Sequence, residues 1–235
     1  MAQLQRIAIA PDQLQQQQIS LTPEQQHYLG RVLRLRTGDR FIAMDGRGTW
    51  WLAQLAGEQA QVLELLSVET ELPVSITLMV ALPKGSGFDD IVRVSTELGV
   101  TCIAPVLSDR TLLNPSTQKL ERWRRIAAEA AEQSERSFVP TILEPITFSA
   151  AITANQGTQR YICEARGDYP HLKNLISADN TEIIIATGPE GGWTQSEIDS
   201  AIASGFQPVS LGRRILRAVT APVVALSLIS ATCEV

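Results

Sequence analysis

The sequence predicts an α/β protein in two parts: a small β-rich domain over residues 1–72, then a larger domain over residues 73–235 built on a mainly parallel sheet. Three observations carry this. Beyond Pro73, nearly unbroken apolar runs of strand length alternate with helical periodicity, the pattern of strands buried on both faces and joined by crossover helices. Two of those runs end in glycine turns that lead into helices. Before Pro73, short runs are separated by turn signals and a single helix, as in a small β unit.

In chain order, "TPEQQHYLGRVLR" (22–34) reads as a helix: Thr22 caps it, Pro23 suits the first turn, and Gln25 completes a capping box. "RFIAMD" and "TWWLAQL" joined by "GRG" read as a hairpin, and "AQVLELLSV" as a third strand. The glutamine run Gln15 to Gln18 reads as a solvated loop. A boundary falls at "ETELPVS". After it come a strand in "SITLMVAL", a helix in "FDDIVRVSTELGV" closed by Gly99, and a strand in "TCIAPVL". "TQKLERWRRIAAEAAEQSER" is a long helix, "RYICEA" and "EIIIAT" are strands, and "TQSEIDSAIASGF" is a helix with Thr194 and Glu197 as its capping box. "QPVSL" is a short strand and "TAPVVALSLISATCEV" a final apolar helix.

Composition excludes several classes of function. The 235 residues are 44% hydrophobic, enough for a real core, yet hold no run of about 18 apolar residues, so no membrane span is expected. The start of the chain lacks the pattern of a signal peptide. Cys102, Cys163 and Cys233 are far apart and odd in number, which argues against a disulfide framework and fits a reducing cytoplasm. His27 and His171 share no ligand spacing with them, so no metal is expected. The net charge is −5, but arginines cluster in "RVLRLRTGDR", "RWRR" and "GRRILR". Each cluster is either a solvated face or a local basic patch of the kind that a phosphate backbone meets.

The strand "EIIIAT" runs into Gly188-Pro189-Glu190-Gly191-Gly192 and then into a helix. In parallel sheets ligands bind at the carboxyl ends of strands. The loop fits neither a Walker loop nor the dinucleotide fingerprint. It reads either as a tight structural turn or as a set of backbone donors and acceptors for a small ligand, with Glu190 its only charged group. A second glycine turn, "SLGRRILRAVTAPVVAL", lies close enough in sequence to wall the same pocket.

"TGPEGGWTQSEI" followed by "LGRRILRAVTAPVVAL" resembles the C-terminal signature of the bacterial methyltransferases that modify N3 of a uridine in 16S ribosomal RNA, members of the knotted SPOUT superfamily. "HYLGRVLRLRTGD", "ALPKGSGFDDIVRVSTELGV" and "EAAEQSERSFVP" resemble further segments of that family, in order and over nearly the whole chain. The resemblance implies a PUA-like RNA-binding β-barrel at the N-terminus, a SPOUT α/β domain with a deep trefoil knot, and a homodimer acting on the small ribosomal subunit. S-adenosylmethionine would lie against Thr187, Gly188, Pro189, Glu190, Gly191 and Gly192, against Leu211, Gly212, Ile215 and Leu216, and against Cys163, Glu164 and Ala165. This ligand carries no phosphate, which accounts for the missing phosphate-binding lysine.

Methyl transfer from a sulfonium to a ring nitrogen needs the base presented in line and help in removing its proton. Arg217 is a candidate to stabilise the uracil anion, or else it makes a salt bridge or a phosphate contact. Arg136 is a candidate to reach the site across a dimer. Glu190 would orient either the cofactor or a backbone turn. Arg31, Arg34 and Arg36 are assigned to RNA phosphates. Gly191→Val is expected to abolish cofactor binding by filling the ligand's space. The chain departs from the family at Val219, where a glutamate is usual, at Ser86-Gly87, where a charged and a basic residue are usual, at Val94, where a lysine is usual, and at "SDRT" (108–111), where the family has "SERS". Competing readings are a knotted methyltransferase for transfer or large-subunit ribosomal RNA, a non-catalytic RNA-binding or ribosome-assembly protein, and an ordinary nucleotide-binding enzyme.

Overall fold

The structure, a computed structural model, describes residues 4–111, 115–154 and 159–234. The chain forms two compact units, Met1–Glu71 with Ala131–Val139, and Leu72–Ala130 with Pro140–Val235.

The first unit holds strands β1 (Arg6–Ala8), β2 (Leu14–Gln15) and β3 (Gln18–Ser20), helix α1 (Pro23–His27), and strands β4 (Arg40–Met44), β5 (Trp50–Ala56) and β6 (Gln59–Leu66). They make one six-stranded sheet in the order β1-β4-β5-β6-β3-β2, antiparallel except for β1 beside β4. Ile7, Ile19, Leu29, Phe41 and Ala53 fill its core. The Thr22 hydroxyl accepts from the Gln25 backbone N–H, and the Gln25 side chain closes the box on the Thr22 N–H.

Two expectations are corrected here. The glutamine run is not a loop but a hairpin, with Gln16 and Gln17 at φ 48° and 65° turning β2 into β3. Both are left-handed, as a two-residue hairpin turn with the sheet's twist demands. The helix expected to reach Arg34 stops at His27, passes through one π turn (Tyr28–Val32), and ends with Arg34 at φ 59°. Gly30 weakens the helix interior. Leu33 and Leu35 pack against the core of this unit, which pulls the chain into alternation. Arg34 and Arg36 are thereby turned outward.

The segment 131–139 joins this unit through the hairpin tip. Val139 N–H donates to Gly46 O at 2.9 Å, and Gly48 N–H donates to Ser137 O at 2.9 Å. A Cβ on Gly46 would stand 2.7 Å from Val139 Cγ2, so the close approach requires glycine.

The second unit holds β7 (Ser75–Ala81), α2 (Gly87–Glu97), β8 (Cys102–Leu107) and most of α3 (Thr117–Gln133), then β9 (Thr141–Ile142), β10 (Ile146–Thr147), α4 (Phe148–Ala154) and β11 (Gln159–Cys163). It continues with β12 (Glu182–Thr187), α5 (Gln195–Ala203), β13 (Gln207–Val209) and α6 (Thr220–Cys233). The sheet runs β10-β8-β7-β12-β11-β13, with β9 also beside β8, and every pairing is parallel. β7 and β12 are buried along nearly their whole length, as their unbroken apolar sequences require. Leu120, Trp123, Ile126, Ala127 and Ala130 form the buried stripe of α3 at helical spacing. The sequence reading missed β9, β10 and α4: the strands are two residues each, too short to carry a period. Among the described residues, no helix is long and apolar enough to cross a membrane.

Candidate functional site

β12, β11 and β13 are neighbours in the sheet, so their carboxyl ends lie side by side. The three segments that leave them, 163–166, 188–193 and 211–221, enclose a cleft of about 730 Å³ including its open mouth. That volume suits a small organic ligand. From the first segment Cys163, Glu164, Ala165 and Arg166 line it; from the second, Gly188 through Trp193; from the third, Leu211, Gly212, Arg214, Ile215 and Leu216. Ala218 and Ala221 add to the apolar wall.

Each segment is fixed by its own hydrogen bonds. In the glycine loop, Gly192 N–H donates to Pro189 O at 2.8 Å, closing a turn with Gly192 at φ 70°. Gly188 abuts the Trp193 indole: a Cβ there would sit 3.2 Å from Nε1. The indole N–H donates to Cys163 O at 3.2 Å, tying the first two segments together, and the ring stacks on Phe148 at 4.4 Å between centroids. The Glu190 carboxylate accepts from Lys84 N–H at 2.9 Å, so it braces the loop after β7. Thr194 caps α5, and Glu197, buried at its N3 position, returns the bond. In the first segment the Glu164 carboxylate accepts from Arg166 N–H at 2.8 Å. In the third, Gly212 sits at φ 119° and donates to Ser210 Oγ at 3.1 Å.

The wall chemistry is backbone N–H and C=O groups, small and branched apolar side chains, the carboxylates of Glu164 and Glu190, and the rim cations Arg166 and Arg214. Among the described residues, the N–H groups of Glu190 and Gly191 have no protein partner. Such a wall suits a flat heteroaromatic ring and a zwitterion, and offers no lysine to a polyphosphate. Ile215, 72% exposed, is an apolar side chain held at the mouth. Burial pushes the Cys163 thiol up to about 12, with Glu164 adding to the rise, so this cysteine stays a neutral thiol. Among the described residues no group of three or more His, Cys, Asp and Glu could hold a metal.

Twelve of the sequence-assigned cleft positions come together in this way, the exception being Thr187, which is wholly buried inside β12 with its hydroxyl unpartnered. Arg217 is exposed and does not line the cleft; its neighbours Arg214 and Ile215 do. Arg136, the candidate to reach a site across a dimer, is 4% exposed and gives its guanidinium to Glu71 within the first unit, with Nη2 to Oε2 at 2.5 Å. A Cβ on Gly191, which lines the cleft, would stand 3.0 Å from Arg110 Cδ, so a side chain there also meets that arginine. Arg31, Arg34 and Arg36 are exposed, and among the described residues no ion pair holds them. Sequence reasoning missed Arg166, Arg214 and Trp193. Arg214 stands in a cluster already singled out, whereas nothing local distinguished Arg166.

Residues 70–230 match the RNA methyltransferase domain family, and residues 21–65 match the RNA methyltransferase PUA domain. The chain is 52% identical over 236 residues to ribosomal RNA small subunit methyltransferase E of Synechocystis sp., covering 97% of this chain and 78% of that protein. It is 30% identical over 231 residues to the protein of the same name from Bacillus subtilis, covering 92% and 90%. Among solved structures it is similar to a ribosomal RNA small subunit methyltransferase E from Neisseria gonorrhoeae bound to S-adenosyl methionine, with a TM-score of 0.88, 32% identity, and 97% and 98% of the two chains covered.

Proposed function

The chain belongs to the RNA methyltransferase family, and from that membership we propose that it methylates N3 of a uridine in the 16S RNA of the small ribosomal subunit, using S-adenosylmethionine. The observation that carries the reading is the cleft at the ends of β11, β12 and β13, walled by backbone groups and apolar side chains. Cys163 through Ala165, Gly188 through Gly192, and Leu211, Gly212, Ile215 and Leu216 would hold the cofactor.

Bound there, the cofactor supplies a methyl group already activated on a sulfonium, so the chain need provide no nucleophile. The neutral thiol of Cys163 accords with that. The glycine loop and the Leu211–Leu216 segment bind and orient, and Ile215, Leu216 and Ala218 exclude water from the reacting end. Arg214 and Arg166 at the rim stabilise the negative charge that a uracil oxygen gains as N3 loses its proton. Arg217, outside the cleft, is left a phosphate contact on the incoming strand. Arg31, Arg34 and Arg36 hold RNA phosphates from the PUA domain. A homodimer in the cytoplasm, a trefoil knot formed by the 211–216 segment and α6, and a division between domains near residue 72 complete the reading; the apolar composition of α6 supports the dimer.

The test is methyl transfer from labelled S-adenosylmethionine to small ribosomal subunits that lack the modification, with the nucleoside identified by mass spectrometry. 3-Methyluridine in 16S RNA is the expected product. Transfer only to another RNA, or no binding of the cofactor, overturns the assignment.

A further inference from the structure

The segment that follows β8, Ser108-Asp109-Arg110-Thr111, does not line the cleft, yet its bonds converge on the glycine loop that does. Ser108 and Thr111 close the segment on itself, hydroxyl to hydroxyl at 2.9 Å, with Ser108 N–H also donating to Thr111 Oγ1 at 3.1 Å. Asp109 N–H donates to Glu197 Oε1 at 2.9 Å, and the Thr194 hydroxyl donates to Asp109 Oδ2 at 2.9 Å. Between these anchors the Arg110 guanidinium donates through Nη1 to Gly191 O and, at 3.3 Å, to Trp193 O.

Those two carbonyls belong to peptide units whose other ends are already held. Gly192 N–H, on the first, donates to Pro189 O; Thr194 N–H, on the second, donates to Glu197 Oε2 at 2.8 Å. A peptide unit is planar, with its C=O and N–H on opposite sides, so fixing both ends fixes its rotation. Without Arg110, each of the two units keeps one anchor and regains freedom to turn. Both lie in the loop that presents Glu190, Gly191 and Gly192 to the cleft.

We propose that Arg110 is a positioning residue for cofactor binding: it sets the shape of the glycine loop by holding the carbonyls of Gly191 and Trp193, without itself touching the ligand. Gly191 is glycine because the Arg110 side chain passes there, with Cδ 3.0 Å from where a Cβ would stand. This rests on the assignment of the cleft to S-adenosylmethionine.

The test is a double-mutant cycle on the dissociation constant for S-adenosylmethionine, read by calorimetry on the full chain. Arg110→Ala weakens binding about tenfold or more, the usual range for lost charge-assisted hydrogen bonds. Once the cofactor is saturating, kcat returns close to the wild-type value, because the loss is in binding. Arg110→Lys, which keeps one charged donor, recovers part of the affinity. Gly191→Ala weakens binding in the wild-type background by displacing Arg110, but has little further effect beside Arg110→Ala, where only an ordinary contact with the residue 110 Cβ at 3.6 Å remains. Additive effects of the two substitutions, as expected if Gly191 simply leaves space for the ligand, overturn the proposal. So does unchanged affinity in Arg110→Ala with an unchanged melting temperature. Should Arg110→Ala fail to fold, Arg110→Lys and Gly191→Ala decide the matter, since both must weaken binding. A wild-type protein that binds no S-adenosylmethionine refutes the assignment of the cleft instead, so the two failures are distinct.

Discussion

Replacing Glu71 with alanine removes the carboxylate from a buried ion pair, and the cost can be worked from the contacts. Glu71 Oε2 accepts from Arg136 Nε at 3.1 Å and Nη2 at 2.5 Å. Its Oε1 accepts from the N–H groups of Ser137 at 2.9 Å and Phe138 at 3.1 Å, and from the Ser137 hydroxyl at 3.2 Å. The Arg136 side chain is 5% exposed and that of Glu71 24%. Removing one partner of a buried pair costs about 3–5 kcal/mol, and the part-exposure of Glu71 places this case near the lower end, about 3 kcal/mol. That is a large share of the roughly 5–15 kcal/mol that holds a typical protein folded. Burial raises the Glu71 pKa, but the hydrogen bonds and charge of Arg136 and the Phe138 and Ser137 N–H groups outweigh it and hold the group below its ordinary 4.5. A carboxyl with a depressed folded pKa stabilises the fold above its unfolded value, and that stability is lost as pH falls through the folded value. The difference between wild type and Glu71→Ala is therefore full at pH 7 and shrinks below pH 4.5. Urea titration with hydrogen exchange read in peptides from β4, β5 and 131–139 measures it. Glu71→Ala with Arg136→Met should cost less than the sum of the two single changes. Additive costs, or a difference as large at pH 3.5 as at pH 7, would refute the reasoning.

Gly192→Ala meets no atom within 4 Å but forces a side chain to φ 70°, so it should destabilise by about 1–2 kcal/mol and be milder as Gly192→Asn; a larger loss of melting temperature for asparagine would contradict this. Replacing Arg31, Arg34 and Arg36 together by alanine should weaken RNA binding and lower its salt dependence by roughly one unit of slope per lost phosphate contact, leaving cofactor affinity alone; an unchanged slope in filter binding refutes the phosphate assignment. Burial pushes Cys102 up to about 11 as well as Cys163 to about 12, so the native enzyme should resist iodoacetamide at pH 8; rapid alkylation of either, read by mass spectrometry, would contradict it. Gly87→Ala should destabilise by about 1–3 kcal/mol through overpacking against Val219, and Val219→Ala should relieve it in a melting assay.

The cleft was legible because its signals are local. A strand buried on both faces leaves a continuous apolar run, and a loop that must turn tightly beside a ligand leaves glycines, as Thr187 to Gly192 and Leu211 to Gly212 do. What the sequence hid depends on distant partners. Arg136 lies in a helical run that looked like part of the larger domain, yet it pairs with Glu71, 65 residues away, and nothing in either local pattern reports the pairing. Arg110 was visible only as part of a variant motif, since its contacts to Gly191 and Trp193 span more than 80 residues. The helix expected through Arg34 failed for a similar reason: capping and periodicity favoured it, while tertiary packing of Leu33 and Leu35 against the core won.

Two positions where the chain departs from the family pattern, Gly87 and Val219, touch one another. Val219 Cγ1 lies 2.8 Å from where a Cβ on Gly87 would be. Any larger residue at 87 would meet this valine, and only glycine admits it. Val219 precedes α6 as its N-cap and supplies no side-chain cap, so the helix start is held by apolar packing in place of a polar group. The contact joins the starts of α2 and α6, and neither residue lines the cleft, whose nearest members on that side are Ala218 and Ala221. The two changes therefore compensate each other in the scaffold. A carboxylate returned at 219 alone would lose the valine packing and force a longer side chain against Gly87, beside which the Val219 Cγ1 already leaves no room for a Cβ. Val219→Glu should accordingly lower the melting temperature while leaving the dissociation constant for S-adenosylmethionine within about twofold, and a large loss of affinity without loss of stability would place residue 219 in the binding site after all.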